Sequence, residues 1–220
     1  MNIKNNINNL RQNLPPGCKL IAVSKTKPPE KIEEAYHAGQ RLFGENKVQE
    51  LVPKHEALPH DIEWHMIGHL QSNKVKYIAP FITLIHSVDS VGLIKEINKQ
   101  AAKVGRIIPC LLQIHIAEEE TKFGLDEGEA MEFLKSPDFQ KLRNIKVVGL
   151  MGMATLTENS SQIRKEFKSL KLFYEKIKSL SLPANVEMTE LSMGMSSDYS
   201  IALEEGSTMI RVGTAIFGER

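Results

Sequence analysis

Cysteine is nearly absent from this chain: Cys18 and Cys110 are the only two among 220 residues. They form no CxxC pair, so a disulfide framework and a cysteine-rich zinc site are both excluded. Each reads as a small buried hydrophobe, the usual state of a free thiol. An excess of one charge is also missing. Lys plus Arg number 28 against 27 for Asp plus Glu, a formal net charge of +1. Such a balance offers no broad field to a nucleic acid backbone or an anionic membrane. No run approaches the roughly 20 apolar residues of a membrane span. The polar N-terminus, MNIKNNINNLRQNL, lacks the apolar stretch of a signal peptide. No repeat, low-complexity tract or linker interrupts the chain. These absences leave one expectation: a reduced, cytoplasmic protein with a single domain over residues 1–220, long enough to bury a core without staples.

What is there alternates. An apolar run at Lys19–Ser24 reads as a strand and is followed by helical spacing at Ile32, Ala35 and Tyr36, stopped by Gly39. Further strands are expected at Arg41–Asn46, Trp64–Gly68, Thr83–Val88, Cys110–Ile116, Ile145–Met151, Glu187–Met193 and Met209–Ile216. Helices are expected between them, around Val48–Val52, Asn73–Ala79, Leu93–Val104, Glu127–Leu134 and Ser161–Leu180. The last helix before the final strand suits Asp198 as its cap and Gly206 as its end. Near-continuous apolar strands separated by helices argue for a parallel sheet covered on both faces. Eight of them predict an α/β fold, a (β/α)8 TIM barrel with an extra N-terminal helix; an open doubly wound sheet is the alternative.

In such a barrel, chemistry sits at the C-terminal strand ends. The first strand ends in Ser24-Lys25-Thr26-Lys27. Either Val23 and Lys25 or Ala22 and Ser24 point inward, and parity alone leaves both open. An inward Lys25 would be partly desolvated, which favours a Schiff-base role. Ser192, Gly194, Ser196, Gly213 and Thr214, after the last two strands, match the usual barrel phosphate site. The same residues also suit helix caps and turns. His65 and His69 straddle Gly68 without an HExxH glutamate, so a polar pocket is favoured over a metal. A hydrolase using His65, His69, His86 and Asp89 stays as a minor reading. Glu118-Glu119-Glu120 reads as a solvated loop.

Six segments then point one way: Ala22–Pro28, Phe43–Glu50, Trp64–Lys74, Gly149–Met153, Leu191–Asp198 and Arg211–Gly218. In this order the chain resembles the YggS/PROSC family of pyridoxal phosphate homeostasis proteins, relatives of the alanine racemase barrel domain. The resemblance implies that Lys25 carries pyridoxal 5′-phosphate as an internal aldimine. It implies that Ser192 with Gly213 and Thr214 holds the phosphate, that Arg211 faces the pyridine nitrogen, and that Asn46 and His65 line the pocket. It also implies a monomeric carrier that stores, masks or delivers the cofactor to apo-enzymes, with no catalytic residues of its own. A pyridoxal-dependent amino-acid racemase is the competing reading. Against it, Arg211 offers only donors to the ring, and the sequence ends soon after the eighth strand, where a racemase's C-terminal domain and its acid–base tyrosine are expected.

Overall fold

A computed structural model describes residues 2–118 and 123–219; the readings of Glu119 and Glu120 lie outside them. Eight strands close a barrel in chain order: β1 (Lys19–Val23), β2 (Leu42–Glu45), β3 (Glu63–Met66), β4 (Leu84–Val88), β5 (Ile108–Gln113), β6 (Ile145–Met151), β7 (Val186–Ser192) and β8 (Met209–Val212). Every neighbouring pair is parallel, and β1 seals against β8 with Ile21 opposite Arg211. Closure decides against the open sheet. Helix α1 (Ile3–Gln12) precedes the barrel and ties to its end, where the Asn6 side-chain amide donates to Ile216 O at 2.9 Å. The fold is a (β/α)8 barrel with an additional N-terminal helix.

The crossovers are α2 (Pro29–His37), α3 (Val48–Ala57), α4 (Val75–Ile78), α5 (Val91–Lys103), α6 (Glu127–Lys135), α7 (Pro137–Gln140), α8 (Ser160–Lys178) and α9 (Tyr199–Glu204). Local chemistry starts several of them. Ser90 accepts from Leu93 N, Asn159 accepts from Ser161 N and Gln162 N, and Asp126 with Glu129 makes a reciprocal capping box. In α8, Ile163, Phe167, Leu170, Tyr174 and Ile177 form one buried stripe against the barrel.

Four expectations need correction. The last strand ends at Val212, because Gly213 takes helical dihedrals and Thr214–Phe217 forms a short helix, α10. An apolar run too short to show its period does not distinguish the two. The fifth strand covers Ile108–Gln113; Pro109 sits near its start, where a missing N–H is tolerated. The helix expected at Asn73–Ala79 splits into a 3-10 turn, Ser72–Lys74, and α4. Asp198 occupies the cap position of α9 but makes no side-chain cap bond; its carboxylate accepts from Met195 N instead.

Two cores result. The larger lies between strands and helices, and the smaller, inside the barrel, groups Leu84, Leu111, Met151 and Met209. His86 and Arg211 lie two residues further along β4 and β8 than Leu84 and Met209, so apolar packing gives way to polar groups toward the strands' C-terminal ends. Gly149 allows the β6–β7 contact: a Cβ there would lie 1.7 Å from Glu190 O. Among the described residues no helix is long and apolar enough to cross a membrane.

Candidate cofactor site

A cavity of about 500 Å³ opens at the C-terminal strand ends, within the range of small-molecule sites. Val23 and Lys25 both line it, whereas Ala22 packs into the outer core and Ser24 bonds outward to Glu45. The inward parity therefore belongs to Val23 and Lys25. Lys25 sits in the turn just after β1, next to Thr26, whose φ is +62°. A left-handed conformation is costly for a residue with a β-branched side chain.

Buried charges hold this turn from behind. Ser24 Oγ donates to Glu45 Oε1 at 2.6 Å, and Lys54 Nζ donates to Glu45 Oε1 at 2.7 Å and to Ser24 O at 2.9 Å. Thr26 N donates to Glu50 Oε2 at 2.7 Å, and Lys54 also reaches that carboxylate, at 3.4 Å. The residues on both sides of Lys25 are thus tied to one cluster. Burial raises the Glu45 pKa despite its bonds to Lys54 and Ser24. Burial also pushes Glu50 upward, but the Thr26 N–H and the Lys54 charge outweigh it and leave Glu50 below its ordinary value. Sequence reading gives these side chains no role: Glu45 and Glu50 enter it only within the segments Arg41–Asn46 and Phe43–Glu50, and Lys54 not at all.

Across the cavity stands Arg211, 4% exposed. Its guanidinium donates to Ser192 Oγ at 2.6 Å and to Gly152 O at 3.0 Å. Burial lowers its pKa to about 10, opposed by Asp198, so it remains a cation at neutral pH. Behind it, His86 Nδ1 lies 2.9 Å from Ser192 Oγ, and His86 Nε2 lies 2.8 Å from His65 Nδ1. Two of the residues read for the pocket are therefore placed elsewhere. Ser192 is fully buried with its hydroxyl engaged by Arg211 and His86, and it does not line the cavity. His65 lines a different cavity, with Lys19, Glu63 and Glu190 at the opposite strand ends.

Both rings are neutral. Burial first, then Lys19, pushes His65 from 6.5 down to about 3. Burial, then His65 and Arg211, pushes His86 well below its ordinary value. With folded values depressed, the unfolded chain takes up protons first as pH falls. The stabilising contribution is complete above 6.5 and is lost as pH drops toward the folded values. Each histidine is expected to add a slope approaching about 1.4 kcal/mol per pH unit between about pH 6 and pH 5. Urea titrations across that window check this, and His86→Gln should remove one histidine's share.

The polar end of the cavity comprises Ser196, Ser197, Gly213 and Thr214. Gly213 N donates to Ser196 Oγ at 3.4 Å. Gly194, at φ +94°, makes the bend before them; a Cβ there would lie 2.6 Å from Ala202 Cβ. Ser196 and Ser197, four and five residues past Ser192, are the serines of this segment that reach the cavity. Ile67, Met153 and Met195 supply apolar walls, and Asn46 lines the same space. Gly68 lets the chain after β3 pass close to Asn46, where a Cβ would sit 2.4 Å from Asn46 O. The donor set fits pyridoxal 5′-phosphate: a primary amine, hydroxyl and N–H groups for a phosphate, apolar sides for a flat ring, and a donor-only guanidinium.

The four residues of the metal reading separate into two pairs, His65 with His86 and His69 with Asp89, the latter 2.7 Å apart. Among the described residues no group of three or more candidate ligands converges.

Comparison with known proteins gives the family. The family described as alanine racemase, N-terminal domain, matches residues 1–220. A pyridoxal phosphate homeostasis protein of Aquifex aeolicus is 43% identical over 204 residues, 92% of this chain and 87% of that protein. The human protein of the same name is 40% identical over 213 residues, 92% of this chain and 76% of that protein. The chain belongs to the pyridoxal phosphate homeostasis protein family. PipY of Synechococcus elongatus with PLP bound superimposes with a TM-score of 0.88 at 39% identity, covering 98% of this chain and 100% of that one. Alanine racemase of Clostridium difficile shares the fold, with a TM-score of 0.80 at 16% identity, covering all of this chain and 56% of that one. The barrel is thus shared by this chain and that racemase.

Proposed function

We propose that this protein binds pyridoxal 5′-phosphate reversibly through Lys25 and serves its homeostasis in the cytoplasm. It acts as a monomer that stores and masks the cofactor and delivers it to apo-enzymes, without a robust reaction of its own. One observation carries the reading. Lys25 lines the cavity with the hydroxyls of Ser196, Ser197 and Thr214 and the Arg211 guanidinium, and none of the described lining residues is a histidine, tyrosine, cysteine or carboxylate. A two-base racemisation needs a second acid–base group on the other face.

Bound pyridoxal 5′-phosphate supplies an aldehyde that condenses reversibly with an amine, and a ring whose electron-withdrawing power rises when its nitrogen is protonated. Lys25 provides the amine, held in place by the bonds to Ser24 and Thr26. Ser196, Ser197, Gly213 and Thr214 offer the phosphate its donors, with Asn46 alongside the ring. Arg211 presents N–H donors at neutral pH, and a nitrogen that accepts from a guanidinium stays unprotonated. That arrangement binds the cofactor and subdues it.

Two assays on the loaded protein test the proposal. Mixed with an apo-aminotransferase, it should restore activity. Incubated with single-enantiomer amino acids in D2O, it should exchange α-protons no faster than free cofactor. Saturable exchange above that background would assign a racemase instead.

A further inference from the structure

The buried run Arg211–Ser192–His86–His65 crosses the barrel interior, and the cofactor-holding role leaves most of it unexplained. Its ends differ. Arg211 is a donor under all ordinary conditions. At the other end, His65 Nε2 is buried and has no partner among the described residues, in a residue that is 2% exposed.

Ser192 Oγ has one hydrogen to give, and its partners among the described residues are Arg211 Nη1 and His86 Nδ1. Arg211 must donate, so Ser192 accepts there. Two arrangements of the remaining hydrogens are possible. In the first, Ser192 O–H donates to His86 Nδ1, His86 Nε2–H donates to His65 Nδ1, and His65 keeps its hydrogen on Nε2. One group, that N–H, is left unmet. In the second, His65 Nδ1–H donates to His86 Nε2 and His86 Nδ1–H donates to Ser192. Both the Ser192 hydrogen and the His65 Nε2 lone pair are then stranded. Buried polar groups are rarely left unmet, so the first arrangement is favoured.

We infer that Arg211 imposes one direction on this chain, from Arg211 through Ser192 and His86 to His65, and that His86 is a positioning residue for Arg211. By taking the Ser192 hydrogen, His86 Nδ1 keeps a serine lone pair aimed at the guanidinium. Arg211 is then fixed by two acceptors, Ser192 Oγ and Gly152 O, at the side of the cavity that the proposed cofactor occupies. Without His86, the serine hydrogen is free to swing toward the guanidinium and cancel one of them. The role in cofactor binding rests on the function proposed above; the direction of the chain does not.

The direction is read from the cofactor-free protein. In a ¹⁵N-histidine sample, His86 Nε2 should carry the hydrogen and show a coupling across the hydrogen bond to His65 Nδ1. A hydrogen on His65 Nδ1 instead would overturn the inference, whatever the protein binds. For positioning, His86→Gln keeps an acceptor toward Ser192 and a donor toward His65, whereas His86→Leu keeps neither. We expect His86→Leu to weaken pyridoxal phosphate binding about tenfold, the worth of one charge-assisted hydrogen bond, and His86→Gln to restore most of it. Equal losses in the two variants would overturn the positioning role. Failure of wild type to bind the cofactor would count against the proposed function and leave the tautomer result intact.

Discussion

Lys25→Ala is expected to abolish the visible absorbance acquired on mixing with pyridoxal 5′-phosphate, leaving the spectrum of the free aldehyde and no colour after desalting. The argument is positional. Among the described residues, Lys25 is the lysine whose side chain lines the cavity, with the apolar walls of Val23 and Met195 and the hydroxyls of Ser196 and Thr214. Its neighbour Lys27 is a sharp control. Lys27 Nζ donates to the carbonyl oxygens of Gly218 and Glu219, at 3.1 and 3.0 Å, and is absent from the cavity lining. Lys27→Ala should therefore keep its colour. A Lys25→Ala protein that still turns yellow and holds the colour through desalting would contradict the assignment.

Lys54→Met is expected to be the most destabilising single change near the site, by about 3–5 kcal/mol, because it strips a buried carboxylate of its cation. Glu45 is completely buried, and its Oε2 already has no partner among the described residues. With Lys54 gone, Glu45 keeps the Ser24 hydroxyl alone and must either protonate or remain as an uncompensated charge. The double variant Glu45→Gln, Lys54→Met should recover part of the loss, since a neutral amide replaces the stranded carboxylate; double-mutant cycles isolate that coupling. Urea unfolding at neutral pH measures both. A loss under about 1 kcal/mol for Lys54→Met would mean that the cluster behaves like an exposed ion pair. The same variant releases Ser24 O and frees one partner of Glu50, so the turn bearing Lys25 should also loosen and hold the cofactor less well.

The barrel was legible because its signal is long. Eight apolar runs separated by helical spacing leave few alternatives, and helices such as α8 carry their stripe in plain view. Short features were less so. The tail after Val212 is apolar in either conformation, and Gly213 decided it by a backbone angle that composition does not encode. The Lys25 parity stayed open because alternation has two phases, and the choice between them depends on which face closes around the barrel axis. Ser192 and Ser196 differ by a bend at Gly194, which sends one hydroxyl to Arg211 and the other to the cavity. His65, His69, His86 and Asp89 formed a plausible set on paper, yet the fold pairs them two by two, His65 with His86 on strands inside the barrel and His69 with Asp89 in the loops after β3 and β4. The Glu45–Lys54–Glu50 cluster was invisible, because burial of a helix lysine is a property of the packed turn and not of its own segment.

The central claim is that Lys25 forms the covalent link to the cofactor. Borohydride reduction of the loaded protein, followed by tryptic peptide mapping and fragmentation, tests it most directly. A reduced Lys25 resists trypsin, as does Lys27 before Pro28, so the adduct should appear on the peptide running from Leu20 to Lys31. Fragment ions should place the pyridoxyl mass on Lys25 and on neither Lys27 nor Lys31. An adduct on another lysine, or none above the level of unloaded protein, would contradict the account.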